Sequence, residues 1–367
     1  MNTKRYYFID NIRWVVVLLV LLYHVFYNYN ALGVFGGIGG FAQEQWQDTI
    51  ASLLNPWFMA LLFVVAGASS RYALQHESVK EFRINRTRKL LVPSTIGILT
   101  FGWILGLLNM HIAGAAMPEG IPLWVKWLIS IASGTAHLWF IQELFIFSLL
   151  LLLVRKVANG AHIDSWLERL PRWGYAIIMI AYLGILYLAS QTQIDNPKPE
   201  EGLMNLYRPV FYFVNFIMGY YIFSSERTHD YLAERAKGLI IIALGSCVYF
   251  AVRYYGIDYT LPEVIQSPGC NLFCWASVLA MFGAFKRWCD RTNATTQYLS
   301  QSSFGIYIVH MVVCTATCLV LKQTTLPVWS IYLIAIAATY IGAFALWEIL
   351  HRIPFIRWCI FGITTRK

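Results

Sequence analysis

Two side chains that a lipid-facing helix rejects, Arg13 and His24, stand eleven positions apart in the first apolar stretch of the chain, Ile12 to Asn30. At about 100° per residue, eleven steps make three turns plus roughly 20°, so both lie on one helix face, about 16 Å apart along the axis. Ionisable groups inside apolar spans face a protein interior or a wet cavity. One face thus carries a permanent cation at one depth and a titratable imidazole at another. That layout suits a long anionic ligand held within a membrane.

Counting residues from the end of each apolar stretch adds partners at the depth of His24. Glu143 lies six residues into the stretch that opens at His137, and His310 lies twelve residues into the one that opens at Tyr298. Three ionisable groups at one level of a bundle are costly unless they share a polar cavity, which marks the level as a candidate site. The plainer alternatives are that His310 and His137 are packing residues bonded to carbonyls and that Glu143 pairs with a neighbouring cation. No HxxxH or HExxH spacing occurs, and the groups come from separate stretches, so no metal site is expected.

A second constellation is the run Phe82 to Pro93, FRINRTRKLLVP. Arg83 and Arg86 are three apart, and Arg86, Arg88 and Lys89 crowd the next turn. Guanidinium groups at a helix entrance make a phosphate cradle through bidentate charge-assisted bonds; a basic anchor that sets membrane orientation is the alternative. Asp10, three residues before Arg13, either steers that guanidinium or caps the helix. Coenzyme A has a matching shape, an anionic nucleotide head and a neutral arm comparable in length with about eleven residues of helix.

The elements that must position these residues follow from composition. Charged residues are only 13 % of the 367, aromatic residues are 16 %, and mean hydropathy is +0.55. This is the composition of a polytopic membrane protein. Ten apolar stretches read as helical spans: Ile12 to Asn30, Ala51 to Tyr72, Leu90 to Met110, His137 to Val154, Trp173 to Gln191, Leu206 to Phe223, Gly238 to Val252, Asn271 to Phe285, Tyr298 to Leu321 and Val328 to Leu350. The seventh and eighth are short. The reading is an all-α bundle of about ten spans, forming a single domain over 1–367.

Basic residues orient it. Of the 28 Lys and Arg residues, only Lys126, Lys198, Arg253 and Lys322 fall on the outer side when Lys4 and Arg5 are placed inside, with Arg13 and Arg208 at or within the membrane. Both termini are therefore expected in the cytoplasm. The net charge of +9 is explained by loops against an anionic leaflet, with no nucleic acid. The first stretch is too long for a signal peptide and carries Arg13 and His24, so it is read as retained. The seven cysteines form no CxxC pair, and Cys247, Cys274, Cys289, Cys314 and Cys318 lie in or beside spans as structural thiols; Cys270 lies on the outer side. The segment His111 to Ala136, with Trp124 and Trp127, reads as an interfacial or re-entrant helix. The outer loops Ala31 to Ile50 and Thr192 to Asn205 are candidate walls of an acceptor site.

At these residues the chain resembles the membrane acyltransferases of acyltransferase family 3, which includes bacterial O-antigen and peptidoglycan O-acetylases and glucan succinyltransferases. Its Arg-x10-His is matched by Arg13 and His24 in FIDNIRWVVVLLVLLYH, its PxFFxxSG-like second helix by Asn55 to Gly67, NPWFMALLFVVAG, and its basic loop before a proline by Arg83 to Pro93. Its HLWF segment is present at His137 to Phe140, and its SYGIYLxH segment is similar to Ser303 to His310, SFGIYIVH. The resemblance spans nearly the whole chain. It departs in two places: the basic doublet is either Arg83 with Arg86 or Arg86 with Lys89, and no esterase-like domain follows the last span, as in stand-alone members.

The resemblance implies acyl-CoA, acetyl-CoA in the first instance, as donor from the cytoplasm, and a saccharide or glycolipid hydroxyl as acceptor from outside. His24 would be the general base, a role that requires neutral imidazole; a covalent acyl-imidazole is the alternative. Glu143 or His310 would orient His24 or bind sugar hydroxyls. Arg13 would hold the pantetheine arm or the nearer phosphates, with Arg83, Arg86, Arg88 and Lys89 as candidates for the head. By analogy with bacterial members the membrane is the cytoplasmic one. The competing reading is a proton-coupled transporter using His24, Glu143 and Arg13, which inverted repeats with broken helices would support; none is visible in the sequence.

Overall fold

The computed structural model describes residues 6–115, 117–158, 160–192 and 206–364; Lys4, Arg5, Arg366, Lys367 and the outer segment 193–205 lie outside the described residues. The fold is helical, with no strand among the described residues. Helix α1 spans Tyr7–Asn28; α2, Asp48–Leu54, and α3, Phe58–His76, are one apolar rod broken at Asn55 and Pro56, where proline removes a helical hydrogen bond. Helix α4, Val79–Arg86, opens with a capping box in which Ser78 and Glu81 satisfy each other's backbone N–H groups. The rod continues through two widened π-helical segments, Thr87–Leu91 and Pro93–Gly102, into α5, Trp103–Ile112. Such widened turns are frequent at functional sites, and here Pro93 supplies no N–H to the tighter ladder.

Helix α6, Leu123–Ala132, folds back on α5, and the contact is close because Gly106 lies against the Ser130 carbonyl and Gly134 against that of Gly102. Trp124 and Trp127 are on its exposed side. There follow α7, Trp139–Val157; α8, Gly160–Arg169; α9, Arg172–Ser190; α10, Pro209–Tyr221; α11, Glu226–Glu234; and α12, Ala236–Arg253. The chain ends with α13, Pro262–Ile265; α14, Pro268–Trp288; α15, Ala294–Lys322; α16, Val328–Leu350; and α17, Pro354–Phe361.

Among the described residues eight rods are long and apolar enough to cross a membrane: α1, α2 with α3, the Val79–Ile112 rod, α9, α12, α14, α15 and α16. They coincide with eight of the ten expected spans. The fourth expected span is α7, 19 residues long but carrying Glu143, Arg155 and Lys156, and the sixth is α10, only 13 residues long. The seventh and eighth, short in the sequence, become rods of 18 and 21 residues because helix continues into flanking residues such as Ala236 and Pro268.

Two contacts set the core geometry. Helix α1 packs along α15, and α3 packs along α10. In the second, the glycines interlock: a Cβ on Gly67 would overlap the Phe216 carbonyl, and one on Gly219 would overlap the Val64 carbonyl. Small residues let two helix backbones approach to direct contact in a membrane, where packing has to drive association. Glycine 67 closes the second family-like motif, and this contact is its physical content.

Candidate functional site

The packing of α1 along α15 brings His24 against His310. His310 Nδ1 is 2.6 Å from the Tyr307 carbonyl, and its Nε2 is 3.1 Å from His24 Nδ1. The tautomers follow from the partners, since only an N–H can donate to a carbonyl. His310 therefore carries its proton on Nδ1 and presents the Nε2 lone pair. His24 Nδ1 lies 2.8 Å from the Val20 carbonyl, so it carries the proton there and shares it between that oxygen and His310 Nε2. His24 Nε2 is left as a lone pair, the form a base requires. Asn28 steadies the turn by donating to the His24 carbonyl at 2.9 Å.

His137 joins this pair. Its ring centroid is 5.0 Å from that of His310, its Nε2 donates to the Ile308 carbonyl at 3.0 Å, and its own carbonyl accepts from the Tyr307 hydroxyl. Its Nδ1 is buried with no hydrogen-bond partner. The carbonyl-bonded reading of His310 and His137 is thus correct for one nitrogen of each ring, while the second nitrogen of His310 meets His24 and that of His137 has no hydrogen-bond partner. Glu143 behaves differently. It is fully buried near the Tyr207 backbone amide, closes no hydrogen bond of normal geometry, and touches none of the three imidazoles by hydrogen bond.

At the basic end of the bundle, α3 gathers two of the predicted cations. Arg13 donates to Asp10 Oδ1 at 3.0 Å and to Ser69 Oγ at 2.7 Å, while Arg86 donates to the adjacent Ser70 Oγ at 3.0 Å. The Arg86 guanidinium also lies 4.8 Å from the Phe82 ring centroid. Arg83 and Lys89 are on exposed positions, and Arg88 ties Asn85 Oδ1 and Thr364 Oγ1 at 3.1 Å each. Ser69 and Ser70 went unnoticed in the sequence; their signal is a polar pair two residues past Gly67 on an otherwise apolar rod. A cavity of about 460 Å³ opens on another side of α1, lined by Asn11, Trp14, Val15, Phe285 and Arg291 among others, and neither Arg13 nor Arg86 lines it.

Beyond His24, toward the end opposite the basic one, the walls are aromatic. Tyr23 and Tyr27 flank His24 with centroids at 5.2 and 5.9 Å, and Asn55, at the break between α2 and α3, donates to the Tyr23 hydroxyl at 3.3 Å. Trp139 faces Tyr207 at 5.3 Å and Tyr212 at 5.4 Å. Among the described residues no group of three or more His, Cys, Asp or Glu is arranged to hold a metal ion.

A bundle of apolar rods with a paired imidazole in its interior and two arginines at one end defines an integral membrane protein built for polar chemistry. The chain belongs to the acyltransferase-3 family: residues 6–348 match its acyltransferase domain. It is 22 % identical over 319 residues to glucans biosynthesis protein C of Escherichia coli strains SMS-3-5 and K12, covering 84 % of this chain and 81 % of theirs. No solved structure matches the chain.

Proposed function

We propose that the protein moves an acyl group from acyl-CoA to a hydroxyl of a saccharide acceptor, across or within the bacterial cytoplasmic membrane. The observation that carries this reading is the hydrogen-bonded chain from the Tyr307 carbonyl through His310 to His24, which leaves His24 Nε2 as a lone pair on the same helix face as Arg13. Arg13 and Arg86 would take the donor's phosphates at the basic end, oriented to the cytoplasm by the charge bias. The neutral arm would follow the face of α1 for about 16 Å to the imidazole.

In this mechanism the acceptor hydroxyl gives its proton to His24 Nε2 as its oxygen attacks the thioester carbonyl. The new ester C–O bond forms, the C–S bond breaks, and the proton passes from His24 to the departing thiolate. His310 Nε2, an acceptor facing His24 Nδ1–H, stabilises the imidazolium formed between the two transfers. Acetyl is the first donor to test, and succinyl needs only a wider pocket. The name of the relatives links those proteins to glucans, so a glucan oligosaccharide is the first acceptor.

The test is transfer of label from acetyl-CoA in sealed inverted vesicles containing wild type, His24→Ala or Arg13→Ala, with lipid-linked and soluble glycans collected. Label on a glycan that vanishes with His24→Ala is the expected result. Donor binding without any label on any acceptor would reject the donor or acceptor assignment. No donor binding, together with a proton-coupled flux lost in His24→Ala, would replace the reading by transport.

A further inference from the structure

Arg208 is the residue whose placement the mechanism above does not explain. It precedes α10 with φ 52° and ψ 49°, the one non-glycine residue at positive φ among the described residues. That conformation is disfavoured for any residue with a Cβ, is usually given to Gly or Asn, and is further disfavoured before a proline, here Pro209. The side chain is also buried, only 4 % exposed, and its Nε has no hydrogen-bond partner. Among the described residues no ion pair holds it. Two carboxylates act on neighbouring Tyr207, and neither makes an ion pair with Arg208: Asp258 is turned to the Thr260 amide and hydroxyl at 2.8 and 2.7 Å, and Glu143 has no hydrogen-bond partner on either oxygen. Among the described residues the guanidinium is seated on aromatic faces, 4.0 Å from the Phe211 centroid and 5.8 Å from that of Tyr212.

A buried cation with no counter-ion among the described residues and a strained backbone are both unfavourable, and a glycine or an asparagine would relieve both penalties. Their coincidence at one residue points to an anion that arrives from outside the chain. The neighbours say where it would come from. Tyr207, adjacent in sequence, meets Trp139 edge to face at 5.3 Å and lies within electrostatic range of Tyr23 and Tyr27, the two tyrosines flanking His24. Arg208 therefore belongs to the aromatic chamber on the acceptor side of the imidazole, at the far end from Arg13 and Arg86. Aromatic faces suit the apolar faces of sugar rings, and a guanidinium fork suits a carboxylate or phosphate.

We infer that Arg208 is a specificity residue that binds an anionic group, a carboxylate or phosphate, carried by the saccharide acceptor, an assignment resting on the acyl-transfer reading. Its test uses wild type, Arg208→Asn and Arg208→Lys in phosphatidylcholine nanodiscs; Asn is chosen because it tolerates the left-handed conformation. The probes are a glucose oligosaccharide ending in a uronic acid and the neutral oligosaccharide of equal length, followed by calorimetric binding and by label transfer. Losing a charge-assisted bidentate contact should weaken binding of the charged probe about 10- to 100-fold in Arg208→Asn, with Arg208→Lys intermediate. The neutral probe should bind all three proteins alike, and the Tm of Arg208→Asn should equal or exceed that of wild type.

Equal loss for both probes, or a lowered Tm with unchanged discrimination, would make Arg208 a structural cation and overturn the assignment. An Arg208 effect seen only when phosphatidylglycerol is added would assign the anion to a lipid headgroup and overturn it too. If wild type transfers no label yet binds the charged probe through Arg208, the acyl-transfer reading fails while the anion site stands.

Discussion

Replacing His310 by phenylalanine tests the imidazole pair most directly. The change keeps an aromatic ring of similar size in a fully buried position and removes one interaction of interest, the Nε2 acceptor 3.1 Å from His24 Nδ1. His24 keeps its second acceptor, the Val20 carbonyl at 2.8 Å, so its tautomer does not change. The change also removes the His310 Nδ1–H bond to the Tyr307 carbonyl, a stability effect that Tm reads, so the effect on kcat comes from lost stabilisation of the imidazolium. A neutral hydrogen bond contributes about 0.5–1.5 kcal/mol and one to a charged partner about 1.5–3 kcal/mol, so the bond strengthens by roughly 1–1.5 kcal/mol as His24 takes the proton. At 1.36 kcal/mol per tenfold, kcat should fall about 10-fold with little change in KM for acyl-CoA. His24→Ala removes the base itself and should cost about 10²–10⁴-fold. His310→Gln, whose carbonyl oxygen replaces the acceptor, should recover part of the loss. The assay is initial-rate label transfer from acyl-CoA in nanodiscs, with Tm measured on each variant to exclude unfolding. An unchanged kcat in His310→Phe would show that His310 only packs. A fall as deep as that of His24→Ala, with Tm intact, would show that His310 contacts the reacting atoms itself.

Three other perturbations read separate parts of the structure. Arg13→Ala and Arg86→Ala should each raise KM for acyl-CoA about 10- to 100-fold through loss of a charged contact, whereas Arg83→Ala, at an exposed position, should leave it nearly unchanged; equal effects at all three would point to general surface charge. Gly67→Val or Gly219→Val should lower thermal stability by about 1–3 kcal/mol or more, because each added Cβ meets a backbone carbonyl of the facing helix; Gly184→Ala, with open space around it, is the control and should not. His229, outside the spanning rods in α11, is held neutral by burial, with its pKa pushed down from 6.5 to about 4. The unfolded chain takes up that proton first, so this contribution is complete above about pH 6.5 and is lost as pH falls toward 4, in all roughly 3 kcal/mol. Thermal unfolding between pH 7 and 4 should show the loss, and His229→Gln should flatten it; an identical acid slope in both proteins would reject this assignment.

The class of fold was legible because every rod long enough to cross a membrane needs a run of apolar residues, and no fold contact is required to see one. The Arg13 and His24 pair was legible for a related reason: both sit on one helix, where spacing alone sets face and separation. His310 was found by depth, and depth failed to decide the rest. Glu143, expected at the same level, closes no hydrogen bond to an imidazole, while His137, left between two readings, ends beside His310. A residue count gives height along a rod; azimuth about the bundle comes only from how rods pack, and here glycines 67 and 219 and the α1–α15 contact decide it. The basic run shows the same division. Its composition marked a cationic entrance, but the choice of Arg86 as Arg13's neighbour depends on the helix starting at the Ser78 cap and on Ser70 waiting across the gap. Arg208 could be counted but not read, since backbone strain and the lack of a counter-ion are properties of the assembled chamber. Sequence by itself determined the kind of element and the chemistry each one carries, because those depend on local periodicity; tertiary structure alone decided which side chains meet, because that depends on contacts between residues far apart in the chain.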